Sequence, residues 1–450
     1  MTASSLFAKY DVPVPRYTSY PTVPHWSVTP TRDVWLESLA ASLRPTGGGL
    51  ALYVHVPFCE SLCSFCGCNT VITRDHGREG PYVDLVLAEL DLYLRHLPAL
   101  AEAPVRQLHL GGGTPTFLSA DHVAALIDGL SSRLRLRAND EFEGSIESDP
   151  RVTMPDQLRV LRERGFRRLS FGVQDIDPEV QQLVNRRQPE AMTASLCDAA
   201  RSLGYESVNL DLIYGLPGQT PDSMTRLADM VLRLRPDRLA VYSFARVPWI
   251  KPAQRRFRDD QVPEGAEKRA LYEVIRTRLL YEGYAEIGLD HFALPSDALA
   301  RAVETGDLYR NFMGYTERRT STLLGLGVSA ISETPDCYHQ NDKVLTVYER
   351  RVREGDLPSF RGHVLTPDDR RRRERILALM TSFRVVLDPN EIDDARPMLA
   401  RLEADGLIEL AGTDLRVLPA GRPFLRNVAS CFDIHYRTAR PSGPVYSRAL

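Results

Sequence analysis

After residue 50 the chain repeats one unit: a short apolar run, a turn and an amphipathic helix. The runs are ALYVHVPF (51–58), VRQLHLGGG (105–113), FEGSIES (142–148), RRLSFGVQD (167–175), SVNLDLIYG (207–215) and RLAVYSFA (238–245). Between the first two lies YVDLVLAELDLYLRHL (82–97), where Val83, Leu87, Leu90, Leu94 and Leu97 recur at steps of four and three and predict one helix face. Ser119 reads as the N-cap of the next helix, with Val123, Leu126, Ile127 and Leu130 on its buried side. Strands alternating with helices at this spacing imply parallel βαβ units in an α/β fold. Periodicity leaves a doubly wound sheet and a barrel both open. In either, ligands gather at the carboxyl ends of the strands.

Chemistry-bearing residues fall at those ends. Four of the seven cysteines, Cys59, Cys63, Cys66 and Cys68, follow the first run within ten positions. Gly111 to Thr114 end the second run, Glu147 the third, Gln174 the fourth and Ala245 the sixth, with Asp211 late in the fifth. The rest of the composition narrows what the cysteines do. The chain has 450 residues, 43% hydrophobic and 26% charged, which is a globular balance long enough for more than one domain. No run of eighteen apolar residues predicts a membrane span, and the N-terminus lacks the charged-then-apolar layout of a secretory signal. A net charge of -3 gives no reason to expect a nucleic-acid partner. Seven cysteines are too few and too odd for a secreted disulfide framework, so the expectation is a cytoplasmic protein with reduced thiols.

Cys59-x3-Cys63-x2-Cys66 is then a loop of three thiols, with Cys68 two places on. Structural zinc usually takes two separated pairs of ligands, and there is no second pair here. A redox dithiol would use Cys63 and Cys66 and leave Cys59 unexplained. An iron–sulfur cluster is held by closely spaced thiolates, and three ligands on four irons leave one iron open for chemistry. The glycines of GGGTPT let backbone approach a ligand closely, but no Lys follows to make a P-loop. GLGVSA (325–330) is too weak and too late for a dinucleotide fingerprint.

The three-cysteine string, with Phe65 before its last cysteine, resembles the signature of radical S-adenosylmethionine (SAM) enzymes. The likeness extends further. KYDVPVPRYTSYPT, YVHVPFCESLCSFCGCNTVITR, GGGTPT, GVQDIDPEVQQLVNR, NLDLIYGLPGQT, RNFMGYT, GLGVSAIS, CYHQN and FLRNVASCFD are similar to the oxygen-independent coproporphyrinogen III oxidase family, from about residue 9 to the end. That resemblance implies a partly open (β/α)6 barrel, a [4Fe–4S] cluster, and SAM, with a second SAM near the first. It implies oxidative decarboxylation of two propionates of coproporphyrinogen III to vinyls in haem biosynthesis, by a monomer fed by a reducing electron donor. Cys59, Cys63 and Cys66 match the cluster ligands. Tyr53, Phe65, Gly112, Gly113, Thr114, Glu147, Gln174, Arg186, Asp211, Ala245 and Ile331 match the SAM-contacting positions, and Glu147 is the candidate catalytic group. Cys68 stands outside the ligand set, and Cys197, Cys337 and Cys431 read as small packed residues. Met313 occupies a position beside the second SAM where the family usually has Gln.

Three units are expected: an extended arm over 1–50, the barrel with adjoining segments over 51–360, and a mainly helical, winged-helix-like domain over 361–450. In the last, Thr366 caps a helix, and RPMLARLEADGLIELAGTDLRVLPAG (396–421) reads as a helix followed by two strands joined at Ala411–Gly412. Arg370 to Arg373 offer a DNA-binding patch or, with Asp368, Asp369 and Glu374 beside them, a solvated helix face. The competing functions are a sister radical SAM methyltransferase or cyclopropane-forming enzyme, a haem carrier, and an iron–sulfur regulator that uses the wing on DNA.

Overall fold

The structure is a computed structural model that describes residues 3–43, 48–136, 142–439 and 445–449. Six parallel strands stand side by side in chain order: β1 (Leu50–Val56), β2 (Val105–Gly112), β3 (Glu143–Ser148), β4 (Phe166–Gln174), β5 (Ser207–Tyr214) and β6 (Arg238–Ser243). This order decides between the two architectures. A doubly wound sheet reverses its strand order, whereas right-handed crossovers in one direction put every helix on the same face. The sheet therefore curls into a barrel with its helices outside.

The barrel is open. Past β6 the sheet continues as the antiparallel strands His291–Ala293 and Ala285–Ile287. Past β1 it continues through Thr322–Leu326, parallel to β1, and then Ile331–Glu333, Cys337–Asn341 and Ser359–Val364, all antiparallel. The last of these strands straddles the expected boundary at residue 360.

Side-chain alternation explains what the inside holds. Gln107 and His109, Glu143, Ser145 and Glu147, Arg168 and Ser170, and Asn209 and Asp211 are spaced by two along their strands and all line an internal chamber. Their neighbours Leu108, Ile146, Leu169 and Leu210 turn outward into the apolar core beneath the helices. The inward arginines at the far end are neutralised. Arg168 pairs with Glu143, and Arg238 meets Asp297 at 2.6 Å.

The helix after β1, α1 (Glu79–His96), turns the predicted face to the core, with Val83 and Leu90 buried and Leu87, Leu94 and Leu97 packed against it, but it buries more than that face. Tyr82, Val83, Val86, Glu89, Leu90 and Tyr93 are buried, while Leu87 and Leu94 are half-buried and Leu97 lies past the helix end. The helix has neighbours on more than one side, since it packs between Ala120–Ser131 and Leu345–Glu354. Leu87 also packs on Gly129 of the neighbouring helix. The Ser119 cap and the apolar face of Ala120–Ser131 stand as expected.

The C-terminal unit has helices Pro367–Ser382 and Pro389–Ala404 and a three-stranded antiparallel sheet of Arg384–Val386, Asp414–Val417 and Ile408–Ala411. Thr366 caps the first helix, accepting from Asp369 N. Arg370 pairs with Asp336, Arg371 and Arg372 with Asp368 at 3.0 and 2.7 Å, and Arg373 with Glu333. Those pairs spend the charge a DNA backbone would need.

The N-terminal arm is not extended throughout: it contains two helices, Ala3–Tyr10 and Arg32–Ser42, of which the first and the segment through Tyr20 join the C-terminal unit while Trp35 and Leu39 of the second pack into the barrel core. Tyr10, Tyr17 and Tyr20 share an apolar core with Leu379, Leu399 and Phe424. Buried Arg426 ties both chain ends together by donating to Val14 O, Pro15 O, Arg448 O and Ala449 O.

Glu89, fully buried on α1, accepts from Gly327 N (2.7 Å), Asn341 Nδ2 (2.6 Å) and Tyr348 Oη (2.8 Å). Burial nonetheless pushes its carboxyl up from 4.5 to about 7. A group raised in the folded state contributes stability below its unfolded value and loses it as pH rises through the folded value. The protein should therefore lose up to about 3 kcal/mol between pH 4.5 and 7 from this site. Thermal melts of Glu89→Gln across that range should lack this slope.

Candidate active site

The first loop leaves β1 at Val56 and returns at Val71, and each stretch of it is pinned by a different part of the chain. Phe58–Cys59 pairs in parallel with Val71–Ile72. Ser64 N donates to Val184 O at 2.9 Å, and Asn185 Nδ2 donates to Leu62 O at 2.8 Å. From the segment after β6, Lys251 Nζ donates to Cys68 O, Gln254 Nε2 to Phe65 O and Arg256 Nη1 to Ser64 Oγ, at 2.8, 3.2 and 3.1 Å. Gln254 is fully buried, and its Nε2 also donates to Ala245 O at 3.2 Å, which joins the loop to the end of β6. His55 donates from Nε2 to Asn69 O (2.9 Å) and accepts from Tyr53 Oη (3.0 Å). Burial lowers its pKa, and the neutral ring fits both bonds.

The end of β2 meets this loop closely. Gly112 has φ +117°, and a Cβ there would lie 2.7 Å from the His55 ring. A Cβ on Gly113 would lie 2.4 Å from Pro57 O, and its amide donates to Val56 O at 2.8 Å. These glycines are required by the protein's own backbone, before any ligand is considered.

The loop and the strand ends line a cavity of about 410 Å³, open at its mouth. Of the expected residues, Cys59, Cys63, Cys66, Phe65, Gly112, Gly113, Thr114, Glu147, Gln174, Arg186, Asp211 and Ala245 all line it, and so does Cys68. Tyr53 and Ile331 are not in that lining. Tyr53 stacks on His109 with ring centroids 5.9 Å apart, and a Cβ on Gly111 would lie 2.9 Å from the Tyr53 ring. Ile331 begins a strand paired to Cys337–Asn341 and crowds Gly325, where a Cβ would lie 2.5 Å from Ile331 O. Cys197, Cys337 and Cys431 are buried elsewhere. Met313 lines a deeper chamber, which shares Glu147, Asp211 and Tyr242 with the cavity.

The thiols differ in their surroundings. Cys59 Sγ shares a hydrogen bond with Thr114 Oγ1 at 3.1 Å, and burial pushes its thiol up to about 11. Hydrogen bonds from the thiol and amide of Cys68 lower the Cys66 thiol, and Lys251 and Arg186 add to the effect. Cys63 Sγ receives donors from both Arg151 and Arg186 at 3.5 Å. Among the described residues no three cysteine sulfurs lie within 4.8 Å of one another. Ligands about 2.3 Å from a single tetrahedral zinc would stand that close. Three thiols spread around one cavity, with cationic donors behind them, suit a polynuclear cluster.

Arg186 has a protein partner that the sequence reading did not include. Its Nη1 donates to Asp149 Oδ2 at 2.9 Å, and Arg151 Nη2 donates to the same atom at 2.6 Å. Arg186 Nε is buried with no hydrogen-bond partner among the described residues. Gln174 is held at φ +68° where β4 breaks register with β5, a strained position for a residue with a side chain.

Among the described residues Glu147 pairs with His109 and with no arginine. Its Oε2 accepts from Gly112 N at 3.1 Å, and its Oε1 faces His109 Nε2 at 3.4 Å. Its side chain is 47% exposed, all of it deep in the barrel mouth. Burial works against its charge, but His109, the Gly112 amide and His55 outweigh it and hold the carboxyl below the usual range. Asp211 is the opposite case. Burial and the nearby Glu147 charge push it up to about 6 despite donors from Ser170 Oγ (2.7 Å) and Asn209 Nδ2 (2.9 Å). Two carboxylates with separated affinities for protons thus face one cavity.

His109 and Asn209 had a sequence signal in the polar alternation of QLHLG and SVNLDL. Asp149, Asn185 and Gln254 had none, because each acts across a gap of tens of residues or more.

Cys68 offers its amide to Cys66 Sγ and sits at the open side. Cys68→Ala should keep its iron after anaerobic reconstitution. Cys59→Ala, Cys63→Ala and Cys66→Ala should each lose it, as measured by iron content and visible absorbance.

Residues 53–231 match the radical SAM superfamily. The oxygen-independent coproporphyrinogen III oxidase of Pseudomonas aeruginosa is 43% identical over 442 residues, covering 96% of this chain and 95% of the relative. The enzyme of the same name from Escherichia coli is 41% identical over 444 residues, covering 96% and 95%. A solved structure of Escherichia coli coproporphyrinogen III oxidase, described as a radical SAM enzyme, superposes with a TM-score of 0.87 at 41% identity, over 93% of this chain and 97% of that one. Identity at this level across arm, barrel and C-terminal unit shows that the chain belongs to the oxygen-independent coproporphyrinogen III oxidase family.

Proposed function

We propose that the protein oxidatively decarboxylates two propionates of coproporphyrinogen III to vinyl groups without oxygen, giving protoporphyrinogen IX. The observation that carries this is the convergence of Cys59, Cys63 and Cys66 on one cavity at the strand ends, in a chain related to these oxidases over nearly its whole length. A [4Fe–4S] cluster and SAM follow from the family, and when bound they supply a 5′-deoxyadenosyl radical able to take hydrogen from an unactivated propionate carbon.

The chain's residues would hold and orient these groups. Cys59, Cys63 and Cys66 hold the cluster, and the clamp from Asn185, Lys251 and Gln254 keeps their loop in place. Ionised Glu147 accepts from the SAM ammonium, and Asp211 accepts from ribose hydroxyls. Arg186, fixed by Asp149, offers its remaining N–H to the SAM carboxylate. Phe65, Thr114, Gln174 and the Gly112–Gly113 backbone complete the wall.

A second SAM belongs to the same proposal, in the chamber beside Met313, which His109, Asp211 and His291 also line. A thioether cannot donate as an amide does, so this site is the weaker of the two. Equilibrium dialysis of the reconstituted protein should find two SAM per chain. Met313→Gln should tighten the weaker site by about tenfold, the worth of one hydrogen bond, and leave the tighter one unchanged.

The deciding test is anaerobic incubation of reduced, reconstituted protein with SAM and coproporphyrinogen III. Protoporphyrinogen IX as product supports the proposal; a methylated product or no SAM cleavage overturns it. Within that assay Glu147→Gln should keep its iron and its melting temperature yet lose most deoxyadenosine formation. A loss of stability with normal turnover would assign Glu147 to structure alone.

A further inference from the structure

Arg16 lies on the N-terminal arm, far in sequence from every motif of the site, yet it lines the cluster cavity. It also lines a second chamber between the barrel and the C-terminal unit, so its side chain stands at the seam between the two. The backbone before it is held by Arg426, which donates to Val14 O and Pro15 O, and Tyr17 after it is buried. The arm thus delivers one guanidinium to a set place.

That guanidinium is under-used by the protein. Nη2 donates to Ser243 O at 2.9 Å, and the group lies 6.0 Å from the centre of the Tyr242 ring. Nε is buried with no partner. Among the described residues no carboxylate comes within 4.0 Å of it. Asp290, which lines the adjoining chamber, is bonded to His291 Nδ1 at 2.7 Å. The neighbouring cations feel its charge: Lys268 is pushed down to about 7 and Arg426 to about 9, by burial first and by Arg16 next, while Asp290 is lowered in part by the same guanidinium. A half-buried guanidinium that lines two cavities and pairs with no carboxylate among the described residues is a receptor for an anion, and a carboxylate matches its planar fork best.

Two carboxylate sources could enter this cavity, SAM and the tetrapyrrole. Arg186, with its own free donor, already stands beside the thiols at Cys63. Arg16 stands at the β6 end and opens onto a further chamber, as suits a larger ligand with several carboxylates. We propose that Arg16 receives one propionate carboxylate of the porphyrinogen and so positions the ring over the cavity. This rests on the porphyrinogen reading given above.

The test uses full-length protein with its cluster reconstituted, and coproporphyrin III, the stable oxidised tetracarboxylate, as probe in a fluorescence titration. Arg16→Gln should weaken coproporphyrin III binding about 10- to 100-fold, the range for a hydrogen bond to a charged group. Arg16→Lys, which keeps the charge and loses the fork, should fall between. KM for coproporphyrinogen III should rise more than kcat falls, and SAM affinity by equilibrium dialysis should not change. Iron content and melting temperature check each variant, and Arg16→Met, similar in length, replaces Gln should that variant not assemble. Undiminished coproporphyrin binding by an intact variant overturns the assignment, as does a loss of SAM affinity with porphyrin binding kept. Wild-type protein that binds SAM but not coproporphyrin III removes the porphyrinogen reading, and this assignment falls with it.

Discussion

A loop of some fifteen residues carries three candidate cluster ligands and has little structure of its own, so the site depends on how that loop is held. Its hydrogen bonds go outward: to Val184 and Asn185 after β4, to Lys251, Gln254 and Arg256 after β6, and to its own two-residue parallel pair. Gln254 matters most in this scheme, because one buried amide bonds Phe65 O in the loop and Ala245 O at the strand end. Leaving such carbonyls unpaired in the interior costs about 1–3 kcal/mol each. The loop is therefore as rigid as the elements around it, which a multi-iron cofactor with fixed ligand spacing requires.

The second constraint is the polar interior of the barrel. Barrels of small bore are usually filled by branched apolar side chains. Here the inward positions are His, Ser, Asn, Asp, Glu and Arg, and they form two zones. At the amino ends of the strands, Arg168 and Arg238 are matched by Glu143, Glu317 and Asp297. At the carboxyl ends, Glu147 and Asp211 have no arginine and face open space. The paired zone is a sealed floor, and the unpaired zone is where a cationic or hydroxyl-bearing ligand finds acceptors. The same logic, with the sign reversed, applies to Arg16 at the seam with the arm.

The first twenty residues of the arm and the C-terminal unit share one core, while the arm's second helix packs on the barrel. Three tyrosines of the arm complete the C-terminal core, and Arg426 bonds the carbonyls of both chain ends. The PRYTSYP stretch thus has a structural role in Tyr17 and Tyr20 and a different one in Arg16, which turns the other way, toward the cavity.

Much of this was legible in the sequence where local physics suffices. The alternation of strand and helix, the Ser119 and Thr366 caps, the cysteine spacing and the strand-end position of Glu147 follow from period, turn chemistry and ligand spacing, all of which act within a few residues. The further burial of α1 was not, because Tyr82 and Glu89 meet Tyr348 of a helix that only the fold brings beside them. Tyr53 lies against His109 and Ile331 against Gly325, outside the lining of the cavity, placements that no local pattern specified. The partners of Arg186, Glu147 and Arg16 were decided by tertiary structure alone. A guanidinium or carboxylate in a sequence is compatible with any opposite charge in the chain, and only the folded distances say which is matched and which is left for a ligand. The sequence by itself determined the barrel units and the three thiols. The tertiary structure bore out the partly open barrel that the family resemblance implied, and it alone decided which strands flank the barrel, that its arginines pair at the floor, and that an arm from the other end of the molecule reaches the mouth.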